Sequence, residues 1–497
     1  MKVLFTAIFP RWQCHLVAEA NFMEEHLAAG DDVTVLACDA SLKACDANPK
    51  RVLPHCLACC GLRDSLLAMV GAPVRRLPLI DSQRAVSPKA SGFPRFQTLE
   101  ELRDYHWNGI HVGKEVISSL ITATGSSEPD MKKHASVIRA LLRDYLAVYL
   151  TAVDYLARHG FERVYIFNGR FVSPRAWIRA CEKTGVPYVT QERLGMPDRV
   201  LRVENDAIHN TMLYAERIKA FWEVNKSNEE IVAEARHFFE ERPKGRLTGW
   251  YSFVENQDSE KLPGNWSSAN RNIVIFSSTE SEFKGLPEYF RQGAFLDQQE
   301  AYQEIIRETY LRDATIRFTI RVHPNSKGEA VRWWDDPGWR EFSNLTVIPP
   351  ESDVSSYGLL NACEKVIVWM TTIGVEAAYW GKPSIVLGRA AYRGIGAAYE
   401  PDSVAEAVAL VLQTLVPCPQ EAAISYGAYL RCGGHKLPFS QALSTCKLTF
   451  KGQQPNASPE VLRSLWNWEN IVSTAPVPTF AKALWQKWEW FRLSRSL

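Results

Sequence analysis

The chain of 497 residues contains no apolar run near the ~18 residues that a membrane-spanning helix needs, so no such helix is expected. It also lacks net charge. Lys and Arg number 57 against 56 Asp and Glu, giving +1, and so even a balance supplies no overall field for gripping nucleic acid. Local basic patches remain open. Internal repeats and low-complexity tracts are absent as well. With 46% hydrophobic and 23% charged residues, a disordered or fibrous class is excluded. The opening stretch, Met1 to Phe9, is too short for a signal peptide, and no small-residue cleavage site follows it. It is expected to form a buried first strand. Without an export signal, the odd count of 11 Cys points to a reducing cytoplasm.

What is present is a repeating strand–helix pattern. Val3 to Phe9 reads as a strand and Leu16 to Ala29 as a helix with apolar Leu16, Ala20, Met23 and Leu27. Gly30 ends that helix, and Asp32 to Cys38 is the next strand, a Rossmann-like opening. Arg163–Asn168, a helix over Pro174–Thr184 and Pro187–Gln191 continue the pattern. Between Val254 and Asn270 the chain turns polar, with Pro and Gly, and this stretch reads as a linker. Strands are expected again from Asn272 to Phe276 and at Ile316–Val322, Leu345–Ile348, Val366–Trp369 and Ser384–Leu387. The domain expectation is therefore 1–265, carrying a Cys-rich insertion at 38–60, then 266–455, then a helical tail at 456–497. In open α/β sheets ligands sit beyond the carboxyl ends of strands, so the residues just after each strand are the ones to inspect.

Three such segments stand out in the second half. Ser277-Ser278-Thr279-Glu280-Ser281-Glu282-Phe283 offers hydroxyls and carboxylates for ribose or phosphate, or else a helix cap. Arg321-Val322-His323-Pro324-Asn325 presents a guanidinium and an imidazole to a diphosphate, or else is a polar strand end stopped by Pro324. Thr371-Thr372-Ile373-Gly374-Val375-Glu376 opens a helix whose N–H groups suit phosphate, with Glu376 placed for two ribose hydroxyls; the plainer reading is a capped helix packing through Ala377 and Ala378.

The run from Pro349 to Gly388, with the two upstream segments, resembles the donor half of GT-B glycosyltransferases of the capsule polysaccharide biosynthesis type. The resemblance spans roughly 272 to 403. It implies an α/β chain of two Rossmann-like domains facing a central cleft, with a C-terminal helical tail. It also implies transfer of a sugar from a CMP-, UDP- or GDP-linked donor to a surface polysaccharide, glycan or lipid-linked acceptor of a bacterial cell envelope. By that resemblance His323 contacts the donor phosphate, Thr371 and Thr372 bind phosphate, and Glu376 lies near the ribose. Ser355, Ser356 and Tyr357 stand where related folds touch the nucleotide. The Thr-Thr pair departs mildly from a Ser-Thr or Ser-Ser pattern but keeps both hydroxyls. Catalysis is expected to need no metal. Alternatives on the same fold are a UDP-GlcNAc 2-epimerase-like or glycerophosphotransferase-like enzyme, or a non-catalytic nucleotide- or glycan-binding protein. The turn Phe9-Pro10-Arg11-Trp12 argues against the epimerase, and the missing Asp-Tyr-Ser-Ser against the glycerophosphotransferase.

In the first half, His15 is a candidate base or a helix cap, and Glu192 is its rival. Trp12 offers a sugar-stacking face, and Arg170 and Arg175 offer charge to an anionic acceptor or the donor phosphate, or else form surface ion pairs. No spacing selects one base, nor an inverting or retaining outcome. Cys38, Cys45, Cys56 and Cys59 have the look of a small structural zinc loop, against free thiols or a redox role. The last residues hold five of the 16 Trp: Trp466, Trp468, Trp485, Trp488 and Trp490. With Lys482, Lys487, Arg492 and Arg495 beside them, they suit either packing back onto the first domain or lying peripherally on an anionic inner membrane face.

Overall fold

The computed structural model describes residues 1–7, 9, 12–38, 40–71, 74–81, 92–245, 253–445 and 447–456. The Trp-rich tail expected at 456–497 lies outside the described residues, save Asn456. The chain forms two compact α/β units. One holds residues 1–124 and 128–208 and the described residues from His435 on; the other holds 125–127 and 209–434.

The first unit is built on a seven-stranded sheet. Its order is His435–Lys436, Arg199–Glu204, Tyr188–Arg193, Arg163–Phe167, Lys2–Phe5, Asp32–Ala37 and Arg75–Pro78. Only Arg199–Glu204 runs against the rest. The central strands are apolar on both faces, as a sheet covered by helices demands: Val3, Leu4 and Phe5 are fully buried. The first strand is shorter than expected. Thr6 N–H makes a last contact with Tyr165 O, and Phe9 lays its ring against Trp12 at 4.8 Å.

The second unit carries five parallel strands in the order Leu345–Ile348, Arg317–Arg321, Asn272–Phe276, Lys365–Val368 and Ser384–Val386. Each lies within two residues of its expected limits. The strand order reverses between Asn272–Phe276 and Lys365–Val368, and the crevice at such a switch point is where this architecture binds ligands.

Residues 209–245, read from composition as part of the first domain, pack with the second unit. The helices Met212–Asn225 and Glu229–Glu241 lie on Gln420–Cys432. Asn228 caps the second of these, accepting from Glu230 N–H at 3.0 Å and Ile231 N–H at 3.3 Å. Phe238 and Phe239 are fully buried there, and the helices cross at Gly427, where a Cβ would fall 2.7 Å from Ala235 O. Among the described residues, no helix is long and apolar enough to cross a membrane.

Candidate functional site

A cavity of about 650 Å³ opens at the carboxyl ends of the second unit's strands, and every residue lining it belongs to that unit. Three strands deliver the polar groups. Ser277, Ser278 and Thr279 follow Asn272–Phe276; Arg321, His323 and Asn325 stand at the end of Arg317–Arg321; Thr371 and Thr372 follow Lys365–Val368. The structure thus gathers most of the expected donor residues. It adds Arg242, Phe253 and Gln257, which sequence reasoning missed.

Arg321 is the most unusual group. Its side chain is 2% exposed. Nη1 donates to Pro349 O at 2.7 Å and Val322 O at 3.2 Å, and Nη2 to Ser352 O at 3.1 Å, while Nε has no partner. Among the described residues, no carboxylate forms an ion pair with it. Burial lowers its pKa to about 10, and Glu351 offsets this only in part. A buried cation without a counter-charge is costly, and here it borders a cavity.

His323 is held as a neutral ring. Its Nδ1 accepts the Asn325 N–H at 3.1 Å and lies 3.1 Å from Thr279 Oγ1. An amide N–H only donates, so Nδ1 is an acceptor and the ring proton sits on Nε2. The backbone N–H of His323 donates to Ser277 Oγ at 3.0 Å, which fixes the strand end. Burial, with Arg321 and Arg242 nearby, lowers the imidazole pKa from 6.5 to about 4. The unfolded chain therefore binds the proton more readily. The resulting stabilisation is complete above pH 6.5 and is lost as the pH falls toward 4, by roughly 3 kcal/mol. His323→Asn, which keeps an acceptor for the Asn325 N–H, is expected to flatten this part of the melting-temperature profile. An unchanged slope between pH 6.5 and 4 would show that His323 does not set it.

The helix Ile373–Tyr379 starts close against its neighbours. A Cβ on Gly374 would collide with the Tyr392 hydroxyl and come 2.8 Å from Val368. Glu376 does not reach the cavity, where a ribose contact was expected. Its carboxylate is fully buried, accepting from Arg242 Nε at 3.0 Å and from Tyr357 OH at 2.6 Å. The Thr372 hydroxyl donates to the same carboxylate at 2.8 Å and accepts from Arg242 Nη2 at 3.1 Å. Burial works against the Arg242 charge, but Glu376 more than offsets it and holds that pKa above the usual range. Glu376, Arg242, Tyr357 and Thr372 therefore form a charge-balanced wall behind the site. The Thr371 hydroxyl has no partner among the described residues. Ser355 is a helix cap, its Oγ accepting the Gly358 N–H at 2.9 Å; Ser356 lines the cavity, its N–H donating to Gln257 Oε1 at 2.7 Å. Glu282 and Asn325 both line it, joined by a 3.3 Å hydrogen bond from Asn325 Nδ2. Gln298, fully buried and unsuspected from sequence, clamps Ser278 from both sides. It donates to Ser278 O at 3.0 Å and accepts its N–H at 3.1 Å.

In the first unit the two rival bases meet. His15 Nε2 lies 3.4 Å from Glu192 Oε1, and both side chains keep about a fifth of their surface, 19% and 23%. Glu192 is itself held: Oε2 accepts Asn168 Nδ2 at 2.5 Å and Oε1 accepts the Arg193 N–H at 3.0 Å. Asn168 sits at φ 60°, a left-handed turn that asparagine tolerates, and its Oδ1 accepts the Arg170 N–H at 3.0 Å. Burial and Arg193 lower the His15 pKa while Glu192 opposes them. Trp12 packs among Phe9, Phe167 and Phe171, with ring centroids 4.8 to 5.6 Å away. Arg170 lies over the Phe171 ring at 4.6 Å. Arg175 is buried and ion-paired with Glu115, which accounts for its charge without a ligand.

The four cysteines of the zinc expectation are split between a strand end, a loop and a helix. Cys38 follows Asp32–Ala37, Cys45 lies in the loop beyond, and Cys56 and Cys59 lie on Leu53–Met69. Burial pushes the Cys45 and Cys56 thiols up, and Cys56 and Cys59 are near enough to Cys45 to add to its shift. Among the described residues, no group of three or more His, Cys, Asp or Glu is placed to hold a metal ion.

The second unit is thus an α/β domain with an anion-ready cavity at the switch point of a parallel sheet. Residues 290–408 match the family model described as capsule polysaccharide biosynthesis protein. No curated protein sequence matches the chain. Among solved structures, the chain is similar to the beta Kdo 2,4 transferase and the beta Kdo 2,7 transferase of Thermosulfurimonas dismutans KpsC. The first is 10% identical, covers 62% of this chain and 88% of its own, and has a TM-score of 0.36. The second is 14% identical, covers 64% and 88%, and has a TM-score of 0.35. It is also similar to UDP-GlcNAc 2-epimerase from Neisseria meningitidis, 11% identical over 86% of this chain and 97% of that one, with a TM-score of 0.27.

Proposed function

We propose that the protein is a glycosyltransferase whose nucleotide-sugar donor binds in the cavity of the second unit. The observation that carries this reading is Arg321, a buried guanidinium with an unpartnered Nε and no ion-pairing carboxylate, bordering a cavity lined with hydroxyls. The phosphate of a nucleotide sugar supplies the missing counter-charge. Ser277, Ser278 and Thr371 offer hydroxyls to its oxygens, and the neutral His323 offers Nε2–H. The match of residues 290–408 to the capsule polysaccharide family supports the same reading.

In the transfer step the bond between the anomeric carbon and the phosphate oxygen breaks, and a bond to an acceptor hydroxyl forms. The charge developing on the departing phosphate falls on Arg321 and on the His323 Nε2–H donor. These groups take the part a divalent cation plays elsewhere, so turnover is expected to survive a chelator. The acceptor proton goes to His15, half-buried and neutral, with Glu192 orienting the ring. The acceptor is a glycan or a lipid-linked saccharide.

The test is a thermal-shift screen with CMP, UDP, GDP and their sugars. A ligand at a hundred times its Kd stabilises the fold by about 2.7 kcal/mol, a readable rise in melting temperature. The expected result is a rise with one base family, followed by release of that nucleotide when acceptor is added. No rise with any nucleotide would overturn the reading, and binding without turnover would leave a non-catalytic binder.

A further inference from the structure

A second, smaller pocket of about 300 Å³ lies in the first unit, between the loop Lys43–Arg51 and the helices Gly113–Thr124 and Ala135–His159. Its rim is cationic. Lys43 and Arg51 line it and Arg143 stands close by. Among the described residues, no carboxylate forms an ion pair with any of the three. Their crowding is real: burial, Arg51 and Arg143 all lower the Lys43 pKa, and Asp144 opposes them only weakly. Asp144 is committed elsewhere. It is 1% exposed and accepts the Ala44 N–H at 2.5 Å, which pins the loop to the long helix.

The loop is a built feature. Asn48, 6% exposed, accepts the Val52 N–H at 3.0 Å and donates to Val52 O at 2.9 Å and to Cys56 Sγ at 3.3 Å. Arg51 is held at φ 54°, an unfavourable region for its type, and its N–H donates to Asn48 O at 2.9 Å. Strain of this kind at a cationic rim points to a ligand. The pocket also holds an acceptor of another sort. Asp46 lines it, hydrogen-bonded to the Ser119 hydroxyl, with Arg170 near enough to attract its charge. A bare anion has no use for Asp46, whereas the hydroxyls of a sugar do.

We propose that this pocket binds a saccharide unit carrying a carboxylate or a phosphate, with Lys43 and Arg51 on the anion and Asp46 and Ser119 on its hydroxyls. At ~300 Å³ it is at the small end of ligand sites, sized for one sugar ring and not a chain. A chain of contacts links it to the partner of the candidate base. Arg170, beside Asp46, is hydrogen-bonded through its N–H to Asn168, and Asn168 holds Glu192. Resting on the glycosyl-transfer reading, the pocket is the anchor for an anionic acceptor.

The experiment measures melting temperature and calorimetric affinity of the full chain with glucuronic acid, glucose 6-phosphate, glucose and inorganic phosphate. Lys43→Met/Arg51→Gly is the variant. The glycine removes the guanidinium and suits the positive φ, so the fold is expected to survive. One or both anionic sugars should bind the wild type, glucose and phosphate far less, and the variant should lose at least tenfold in affinity. Equal binding of glucose, binding of phosphate as strong as that of the sugars, or an unaffected variant would overturn the proposal. The nucleotide response of the same samples reports the second unit's cavity independently, so failure of one reading is seen apart from failure of the other.

Discussion

Arg321→Met is expected to weaken nucleotide binding about a hundredfold while changing folding stability by no more than about 2 kcal/mol. The two effects separate because the guanidinium has two environments. Toward the protein it donates to three carbonyls, of Pro349, Val322 and Ser352, and losing those bonds costs stability. Removing a buried charge that lacks an ion-pairing carboxylate returns its desolvation penalty, which works the other way. Toward the cavity no such offset exists. Charge-assisted hydrogen bonds to phosphate contribute about 1.5–3 kcal/mol each, and two of them at the lower figure amount to about two decades of affinity. Arg321→Lys should recover little, since an ammonium cannot keep the carbonyl fork and reach phosphate at once. Calorimetry with the nucleotide that stabilises the wild type is the measurement. Affinity within threefold of wild type would remove Arg321 from the site and with it the main support for a nucleotide phosphate there.

Much of the second unit was legible because its strands are buried on both faces. Ile273–Phe276 and Val366–Val368 are unbroken apolar runs, and the residues that follow such runs fall at the strand ends where ligands bind. Hence Ser277, His323 and Thr371 could be placed from the order of residues alone. The direction in which a side chain faces could not. Glu376 looks like a ligand group in the sequence, yet Arg242, more than a hundred residues earlier, reaches its carboxylate from behind. That partner was hidden because the polar stretch at 254–270 marks a solvated surface and not the place where packing changes. The change lies near residue 209, and it depends on Phe238 and Phe239 meeting Tyr426, Gly427 and Tyr379, contacts without any local signature. The Lys43–Arg51 pocket was missed for a related reason. Its cations stand among the cysteines, and nothing in the local sequence shows that they meet the helices Gly113–Thr124 and Ala135–His159 around one cavity.

The other large effect concerns His15. His15→Asn is expected to lower transfer about a thousandfold, within the range for loss of a general base, with nucleotide affinity unchanged. As candidate bases His15 and Glu192 looked interchangeable in sequence; their geometry divides the roles. Both Glu192 oxygens already accept hydrogen bonds, from Asn168 and Arg193, so the carboxylate is better fitted to orient a neighbour than to take a proton. His15 Nε2 stands 3.4 Å from Glu192 Oε1, and its lowered pKa keeps the ring neutral at pH 7. The rate should therefore fall in acid as His15 takes up a proton, below its usual 6.5. Glu192 opposes the downward shift, so Glu192→Gln, besides costing activity, should move the acid limb to still lower pH. A merely structural Glu192 would reduce the rate and leave the limb where it was. Turnover in His15→Asn within threefold of wild type would assign the proton to another group. An acid limb that stays put in Glu192→Gln would break the link between the two side chains even if His15 itself proved essential.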